Sequence, residues 1–189
     1  MEFVLATRNA HKVEELAELL PGHVLKALPD EVVLPPETAD TFAGNALIKA
    51  RAAAEALGMA AIADDSGLCA DALDGRPGVR SARYAGEDAT DDDNLRKLMK
   101  EVPGGSDLAY VCVIAVVLPD GEEFTVEGRC TGTMALERHG DGGFGYDPVF
   151  FADGDPQGRT MAELTPAEKG AISHRGRAAR ALAERLASA

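Results

Sequence analysis

Two adjacent acids, Asp64 and Asp65, follow the apolar stretch AAIA and are followed in turn by Ser66 and Gly67. At the end of a buried strand, such a pair costs desolvation and like-charge repulsion unless something compensates. A surface turn, a helix cap and a site where a cation neutralises the pair would each do so. Because neighbouring residues of a strand point to opposite faces, we expect the two carboxylates to have different roles.

A third acid, Glu37, lies in a proline-rich acidic loop just before the segment TFAGNALIKA. Carboxylate oxygens suit Mg²⁺, which usually takes one or two of them and completes its shell with water and substrate phosphate. The acids are therefore candidate metal ligands. The common alternative for Asp64 and Asp65 is a solvated turn, although the apolar strand before them favours a deeper position.

The segment TRNAHK (residues 7–12) leads from an apolar stretch into a helical pattern. Thr7, Asn9 and Lys12, together with backbone N–H groups at the helix start, could hold phosphate oxygens. A polar cap followed by a solvated lysine is the commoner role of such a segment. The local sequence leaves both possibilities open.

Two further segments, GGFGYDP and EKGAISHRG, carry groups that could recognise a planar polar ligand. Glycines around Phe144 would let the backbone approach a ligand closely while the ring stacks on a base. Lys169, His174 and Arg175 could donate hydrogen bonds to carbonyl oxygens. A core phenylalanine and an ordinary surface arginine are the alternatives, and no single segment decides between them.

These segments need a scaffold of helices and strands. Apolar runs predict strands at 2–6, 23–28, 60–64, 107–118 and 122–136, and the glycine-rich segment 140–151 runs into another. Helices are predicted to begin at the caps Asn9, Thr90 and Thr165, to span roughly 41–57, and to fill 173–189. The two long strands, joined by PDG, predict a hairpin. The pattern indicates an α/β or α+β fold around a mixed sheet.

Length and charge limit the class of protein. The chain has 189 residues, 46% of them hydrophobic, which suits a single domain over residues 1–189. A net charge of −13 argues against a non-specific hold on nucleic acid, because that needs a basic surface. With no signal-peptide pattern and no apolar run long enough to cross a bilayer, we expect a cytoplasmic protein. Cys69, Cys112 and Cys130 are expected to be reduced core residues.

Taken together, the segments resemble the inosine/xanthosine triphosphate pyrophosphatases, the Ham1-like enzymes that remove non-canonical purine nucleotides. TRNAHK is similar to the family's T-x-N-x-x-K, and PETADTFAGNALIKA to its E-x-G-x-T-F-x-x-N-A-x-x-K-A. AIADDSGL, GRPGVRSARYAG, GGFGYDPVFF and LTPAEKGAISHRG follow in the family's order. Ordered motifs over nearly the whole chain are far more specific than any one of them.

The resemblance implies a central mixed sheet flanked by helices, in two lobes with an active-site cleft between them. It implies a homodimer, and Mg²⁺-dependent hydrolysis of ITP, dITP and XTP to the monophosphate and pyrophosphate, which keeps these nucleotides out of DNA and RNA. Carried over by motif, Glu37 and Asp65 bind Mg²⁺, and Asp65 accepts a proton from the attacking water. The residues implied to contact substrate, from the phosphates to the base, are Thr7, Arg8, Asn9, Ala10, His11, Lys12, Ser66, Phe144, Gly145, Tyr146, Asp147, Lys169, His174 and Arg175.

Two residues depart from the family pattern. Ala39 stands where the family has glycine, which makes Glu37 the weaker of the two implied metal ligands. Gly44 replaces a more usual acid, and we expect it to lie outside the site. Asp64 is expected to be a supporting residue or a turn residue.

Donors aimed at the 6-oxo group of hypoxanthine or xanthine would reject adenine, because adenine leaves a buried donor unpaired.

The rival functions are a catalytically silent nucleotide sensor and a pyrophosphatase for modified pyrimidine nucleotides. Asp65 beside an intact Lys12 favours the enzyme, and the FGYD and SHR segments favour purines.

Overall fold

Six β-strands and five α-helices form among residues 1–188, the part of the chain that the computed structural model describes. The strands are β1 (Glu2–Leu5), β2 (Val24–Ala27), β3 (Ala61–Ala70), β4 (Asp107–Val117), β5 (Glu123–Met134) and β6 (Phe150–Ala152). The helices are α1 (Ala10–Leu19), α2 (Phe42–Leu57), α3 (Asp91–Glu101), α4 (Pro166–Ile172) and α5 (His174–Ala187).

The strands form one mixed sheet in the order β2-β1-β3-β4-β5-β6. β1 is parallel to β2 and to β3, whereas β5 and β6 are antiparallel. Residues 118–122 join β4 to β5, and so short a connection cannot make a parallel crossover. These two neighbours therefore form the predicted hairpin, and the predicted mixed α/β fold is confirmed.

Local side chains begin and end the helices as the sequence predicts. Asn9 caps α1 by accepting a hydrogen bond from the Lys12 N–H at 3.2 Å. Thr90 and Thr165 open α3 and α4 with reciprocal capping boxes. Gly58 ends α2 in the left-handed conformation, with a φ of 62°, which glycine adopts without a steric penalty.

β3 is longer than predicted, and this changes the setting of its two acids. The sequence predicts a strand that ends at Asp64 and Asp65, but the strand continues to Ala70, so that prediction is wrong. Leu68 and Ala70 are fully buried in a hydrophobic cluster. Packing against distant residues therefore extends the strand through a Ser-Gly pair that by itself favours a turn.

The chain divides into two compact units. The first contains Met1–Asp65, Cys112–Gly128 and Arg177–Ala189, and the second contains Ser66–Val111 and Arg129–Gly176. The expectation that residues 1–189 act as a single domain stays a prediction.

The first unit has two hydrophobic clusters. Phe3 and Leu5 of β1 belong to one and Val4 to the other, because alternate residues of a strand face opposite sides. Cys112 lies in the first of these clusters and Cys130 in the core of the second unit, so the predicted core position of these two cysteines is confirmed. Cys69 is only partly buried, so the prediction is wrong for that residue. Among residues 1–188, no helix combines the length and the apolar character that crossing a membrane requires.

Candidate active site

The two acids of β3 have different partners, as the alternation of strand side chains predicts. Asp64 is fully buried, and its Oδ2 forms a salt bridge of 2.9 Å with the Nζ of Lys12. The Cys112 thiol donates a long hydrogen bond of 4.0 Å to the same oxygen. Asp64 therefore fixes the position of the Lys12 ammonium, which is a supporting role of the kind the sequence left open.

Asp65 is held by a side chain that sequence analysis did not single out. The Nδ2 of Asn45 donates a hydrogen bond of 3.0 Å to Asp65 Oδ2, and both side chains are buried. Burial raises the pKa of Asp65, the Lys49 ammonium opposes that change, and the nearby charge of Glu37 adds to it, so that the pKa lies above its ordinary value. A carboxylate in such surroundings is stabilised in its charged form by an added cation.

Lys49 lies one helical turn after Asn45 on α2 and connects the acids. Its Nζ donates to Glu37 Oε1 at 2.6 Å and to the backbone oxygen of Asp64 at 2.7 Å. Burial by itself lowers the pKa of Lys49, but the fields of Asp64 and Glu37 outweigh it and the pKa is raised. Lys49 therefore remains an ammonium among three carboxylates at neutral pH.

The fit of this donor set to Mg²⁺ depends on Glu37 and Asp65. Within residues 1–188, no three His, Cys, Asp or Glu side chains come together as a metal cage. Mg²⁺ rarely needs one, because it binds through one or two carboxylates and keeps several waters. Asp65 is nearly buried, whereas the Glu37 side chain is 27% exposed. Two hard oxygen donors, one of them partly open to solvent, fit this ion.

The segment from Thr7 to Lys12 forms the turn that enters α1. Thr7 Oγ1 accepts a hydrogen bond from the Asn9 N–H at 3.2 Å, and Asn9 caps the helix. Ala10 and His11 are the first two helical residues, and both are exposed. Lys12 follows them, and its ammonium is directed to the buried Asp64.

The Arg8 side chain is bonded to residues 28–32. Its guanidinium donates to the backbone oxygens of Leu28, Pro29 and Val32 at 2.7 to 2.9 Å, and it pairs with Asp30 at 3.3 Å. The Arg8 side chain therefore anchors the loop that follows β2. A substrate contact at this position remains a prediction.

In the second unit, Asp147 is the centre of the polar contacts. Its Oδ2 accepts hydrogen bonds from Lys169 Nζ at 2.9 Å and from the Phe144 N–H at 3.0 Å, and its Oδ1 accepts one from the Tyr110 hydroxyl at 3.1 Å. Gly143 has a φ of +69°, and a Cβ there would overlap the Asp147 carboxylate. The glycine before Phe144 thus makes room for Asp147, a reason that the sequence did not suggest.

Two cations face the ring of Phe144. Lys169 Nζ lies 4.9 Å and the Arg175 guanidinium 5.8 Å from the ring centroid, both within cation–π range. Arg175 is 1% exposed, and its Nη2 donates to Ser66 Oγ at 3.0 Å. The structure therefore brings together five of the residues predicted to contact substrate: Ser66, Phe144, Asp147, Lys169 and Arg175.

His174 and Tyr146 are also buried. The His174 ring stacks on Tyr110, with centroids 4.5 Å apart and planes 9° from parallel. The Tyr146 hydroxyl donates to the Ser81 backbone oxygen at 2.7 Å, and burial raises the pKa of that hydroxyl. Gly145, between the two predicted base contacts Phe144 and Tyr146, donates its N–H to Asp91 at 3.1 Å.

Three residues of these networks are not among those predicted from the sequence: Asn45, Lys49 and Tyr110. The first two stand four residues apart in the quoted segment NALIKA, a spacing that places both on one helix face. That spacing could have indicated that the two side chains act at the same place. Tyr110 lies within the apolar run of β4, where nothing in the local pattern distinguishes it from a core aromatic.

Comparison with known proteins shows similarity along nearly the whole chain. A family model described as the Ham1 family matches residues 3–185. A dITP/XTP pyrophosphatase from Geobacillus kaustophilus is 49% identical, over 94% of this chain and 90% of that protein. A protein of the same name from Streptomyces coelicolor is 47% identical, over 95% of this chain and 94% of its own.

Solved structures agree with this similarity. The structure of a HAM1 protein from Coxiella burnetii has a TM-score of 0.88 and 41% identity, with both chains fully covered. That of the Staphylococcus aureus Ham1 protein also has a TM-score of 0.88, with 37% identity over 100% of this chain and 99% of the other.

Proposed function

This chain belongs to the Ham1 family, and we propose that it hydrolyses non-canonical purine nucleoside triphosphates, dITP and XTP as well as ITP, to the monophosphate and pyrophosphate. The observation that carries the proposal is the buried Asp65, held by Asn45 in a cluster with Lys49 and Glu37. A carboxylate in such a cluster can take a proton from water beside a polyphosphate.

The first unit is proposed to act on the triphosphate. Lys12, fixed by Asp64, is a point charge for the phosphate oxygens and for the leaving pyrophosphate. Backbone N–H groups at the start of α1 add donors for phosphate. Asp65 accepts the proton of the attacking water. Glu37 and Asp65 would hold Mg²⁺, which when bound polarises phosphate oxygens and acidifies water.

The second unit is proposed to bind the base. Phe144 offers a ring for stacking, and Lys169 and Arg175 offer donors for the 6-oxo group of hypoxanthine or xanthine. Adenine carries an amino donor at that position, so it would leave a buried cationic donor unpaired. Asp147 holds both Lys169 and the Phe144 backbone, and so sets the geometry of this recognition.

The test is a panel of nucleoside triphosphates with Mg²⁺, followed by pyrophosphate release. We expect dITP, ITP and XTP to be hydrolysed at least tenfold faster than ATP, on the order of the discrimination that a single unpaired buried donor supplies. We also expect them to be hydrolysed faster than GTP, but guanine keeps the 6-oxo group, so the unpaired donor does not set the size of that difference. Equal rates across the panel would contradict the proposal. Binding of ITP without any turnover would instead support the silent sensor.

Asp65→Asn is the matched variant for the chemical step. It keeps the shape of the side chain and loses most turnover, because an amide cannot accept the proton. Binding of ITP, measured by calorimetry, is expected to persist. Unchanged turnover would remove Asp65 from the role of base.

The oligomeric state and the cellular location of the protein are also proposals. We propose a homodimer, in line with the resemblance to the family, and size-exclusion chromatography with light scattering measures it directly. The proposed cytoplasmic location is tested by cell fractionation. A monomer at micromolar concentration, or recovery in the membrane fraction, would contradict these two proposals respectively.

A further inference from the structure

One buried amide connects the loop that carries Glu37 to the proposed base. The Oδ1 of Asn45 accepts a hydrogen bond from the Ala39 N–H at 2.9 Å, and its Nδ2 donates to Asp65 Oδ2 at 3.0 Å. A backbone N–H can only donate and an ionised carboxylate can only accept, so the two bonds fix which way the amide faces. Asn45 is fully buried, which leaves it no competing contact with solvent.

The loop that carries Glu37 lies close to the start of α2, and there is little space between Ala39 and Gly44. A Cβ at Gly44 would lie 2.6 Å from the Ala39 Cβ and 3.0 Å from Thr41 Oγ1. Carbon atoms pack at about 3.5–4.0 Å, so a methyl group at Gly44 would displace Ala39 by about 1 Å. Glycine is a poor residue inside a helix, and α2 includes Gly44. The Ala39 methyl group occupies the space that a side chain at position 44 would need, which explains why a glycine stands at this position of α2.

We propose that Asn45 is a positioning residue that fixes Asp65 relative to the Glu37 loop, and that Ala39 and Gly44 are a matched pair on which this position depends. The inference rests on the proposed function for the roles of Asp65 and Glu37. It differs from the expectation that Gly44 lies outside the site, because a Cβ at Gly44 would lie 2.6 Å from the Cβ of Ala39, whose N–H donates to Asn45.

The consequence of disturbing the pair follows from the geometry. A shift of Ala39 by about 1 Å lengthens its 2.9 Å bond to Asn45 beyond hydrogen-bond range and frees the amide to turn. Asp65 then loses the Asn45 donor, and Glu37, two residues before Ala39, moves with the loop. A displacement of this size in an active site reduces turnover by roughly 10- to 100-fold.

The experiment compares Gly44→Ala, Ala39→Gly/Gly44→Ala and Asn45→Ala with the native chain. The readouts are binding of Mn²⁺ alone, followed by electron paramagnetic resonance, kcat/KM with dITP and Mg²⁺, and the thermal midpoint. We expect Gly44→Ala to weaken Mn²⁺ binding and to lower kcat/KM roughly 10- to 100-fold. The double variant is expected to recover most of the Mn²⁺ affinity and most of kcat/KM, because Ala39→Gly removes the methyl group that Gly44→Ala would otherwise displace.

Asn94→Ala is the matched control. Asn94 is a second buried asparagine, and its Oδ1 likewise accepts from a backbone N–H, that of Ala85; its Nδ2 donates to the Ala82 backbone oxygen, where Asn45 donates to a carboxylate. It lies in the other unit and outside the proposed site. Asn94→Ala and Asn45→Ala should lower the thermal midpoint to a similar extent, but only Asn45→Ala should weaken Mn²⁺ binding and turnover.

Two results would overturn the inference. A double variant as impaired as Gly44→Ala would show that Ala39 and Gly44 are not a matched pair. Native Mn²⁺ affinity and turnover in Asn45→Ala would show that this residue positions nothing. If instead the native chain fails to hydrolyse dITP while the Mn²⁺ affinities follow the expected order, the proposed function fails and the positioning role stands.

Discussion

Asp147→Asn removes the charge from a buried ion pair while keeping the shape of the side chain. Asp147 Oδ2 lies 2.9 Å from Lys169 Nζ, and the two side chains are only 4% and 10% exposed. The variant leaves the Lys169 ammonium buried without its counter-charge. The amide oxygen that replaces the carboxylate could still accept the Phe144 N–H, so the loss comes mainly from Lys169.

The size of the effect follows from this burial. Removing one partner of a buried ion pair costs about 3–5 kcal/mol, and the retained bond to Phe144 places Asp147→Asn near 3 kcal/mol. For a chain of this length, each kcal/mol moves the thermal midpoint by about 2–4 °C. We therefore expect a fall of about 6–12 °C, measured by circular dichroism or calorimetry.

A double-mutant cycle with Lys169→Met separates the ion pair from simple loss of packing. Replacing both charges at once leaves no uncompensated ion, so Asp147→Asn/Lys169→Met should be more stable than Asp147→Asn alone. A midpoint within about 2 °C of the native value for Asp147→Asn would refute the reasoning. So would a double variant whose loss equals the sum of the two single losses, because additivity means that the pair is not coupled.

Three further changes test other contacts. Arg175→Ala should narrow the preference for ITP over ATP, measured as the ratio of kcat/KM values, and an unchanged ratio would exclude a base-reading role. Tyr110→Phe keeps the aromatic ring but removes the donor to Asp147, and should cost about 1.5–3 kcal/mol in urea unfolding, as for a hydrogen bond to a charged group; a value near zero would mean that the hydroxyl contributes nothing. The Thr165 N–H holds the pKa of Glu168 at about 2, so its contribution is present above its ordinary pKa and is lost as the pH falls towards 2. The difference in midpoint between Glu168→Gln and the native chain should therefore shrink between pH 6 and pH 3, and a constant difference would contradict this.

Local signals account for the parts of the fold that the sequence predicts well. The caps at Asn9, Thr90 and Thr165 satisfy backbone N–H groups within three residues of themselves, so the sequence contains all the information they need. The extension of β3 to Ala70 is different, because it depends on packing with residues far along the chain. The local sequence around Ser66 and Gly67 does not indicate that packing, so the extension of the strand could not be predicted from it.

The same distinction applies to the site. Lys49 and Asn45 are four residues apart in a quoted segment, but their partners Glu37 and Asp65 lie 12 and 20 residues away along the chain. Residue types indicated acids and cations without saying which acid pairs with which cation. Asp64 is an example: the local sequence and the resemblance left it as a supporting or a turn residue, and the salt bridge to Lys12 identifies its partner.

The charges of the first unit explain why adjacent acids are tolerated in a strand and what the cluster lacks. Lys12 and Lys49 face Glu37, Asp64 and Asp65, so the cluster has a formal charge of −1. The negative charge of that cluster, on a chain of net charge −13, repels an approaching triphosphate, although hydrogen-bond donors are also present. A divalent cation bound as proposed would change the formal charge of the cluster to +1 and would stabilise the charged form of the buried Asp65. This charge balance supports the proposal that Glu37 and Asp65 would hold a divalent cation together with the nucleotide, while Lys12 and Lys49 offset part of the repulsion among the acids.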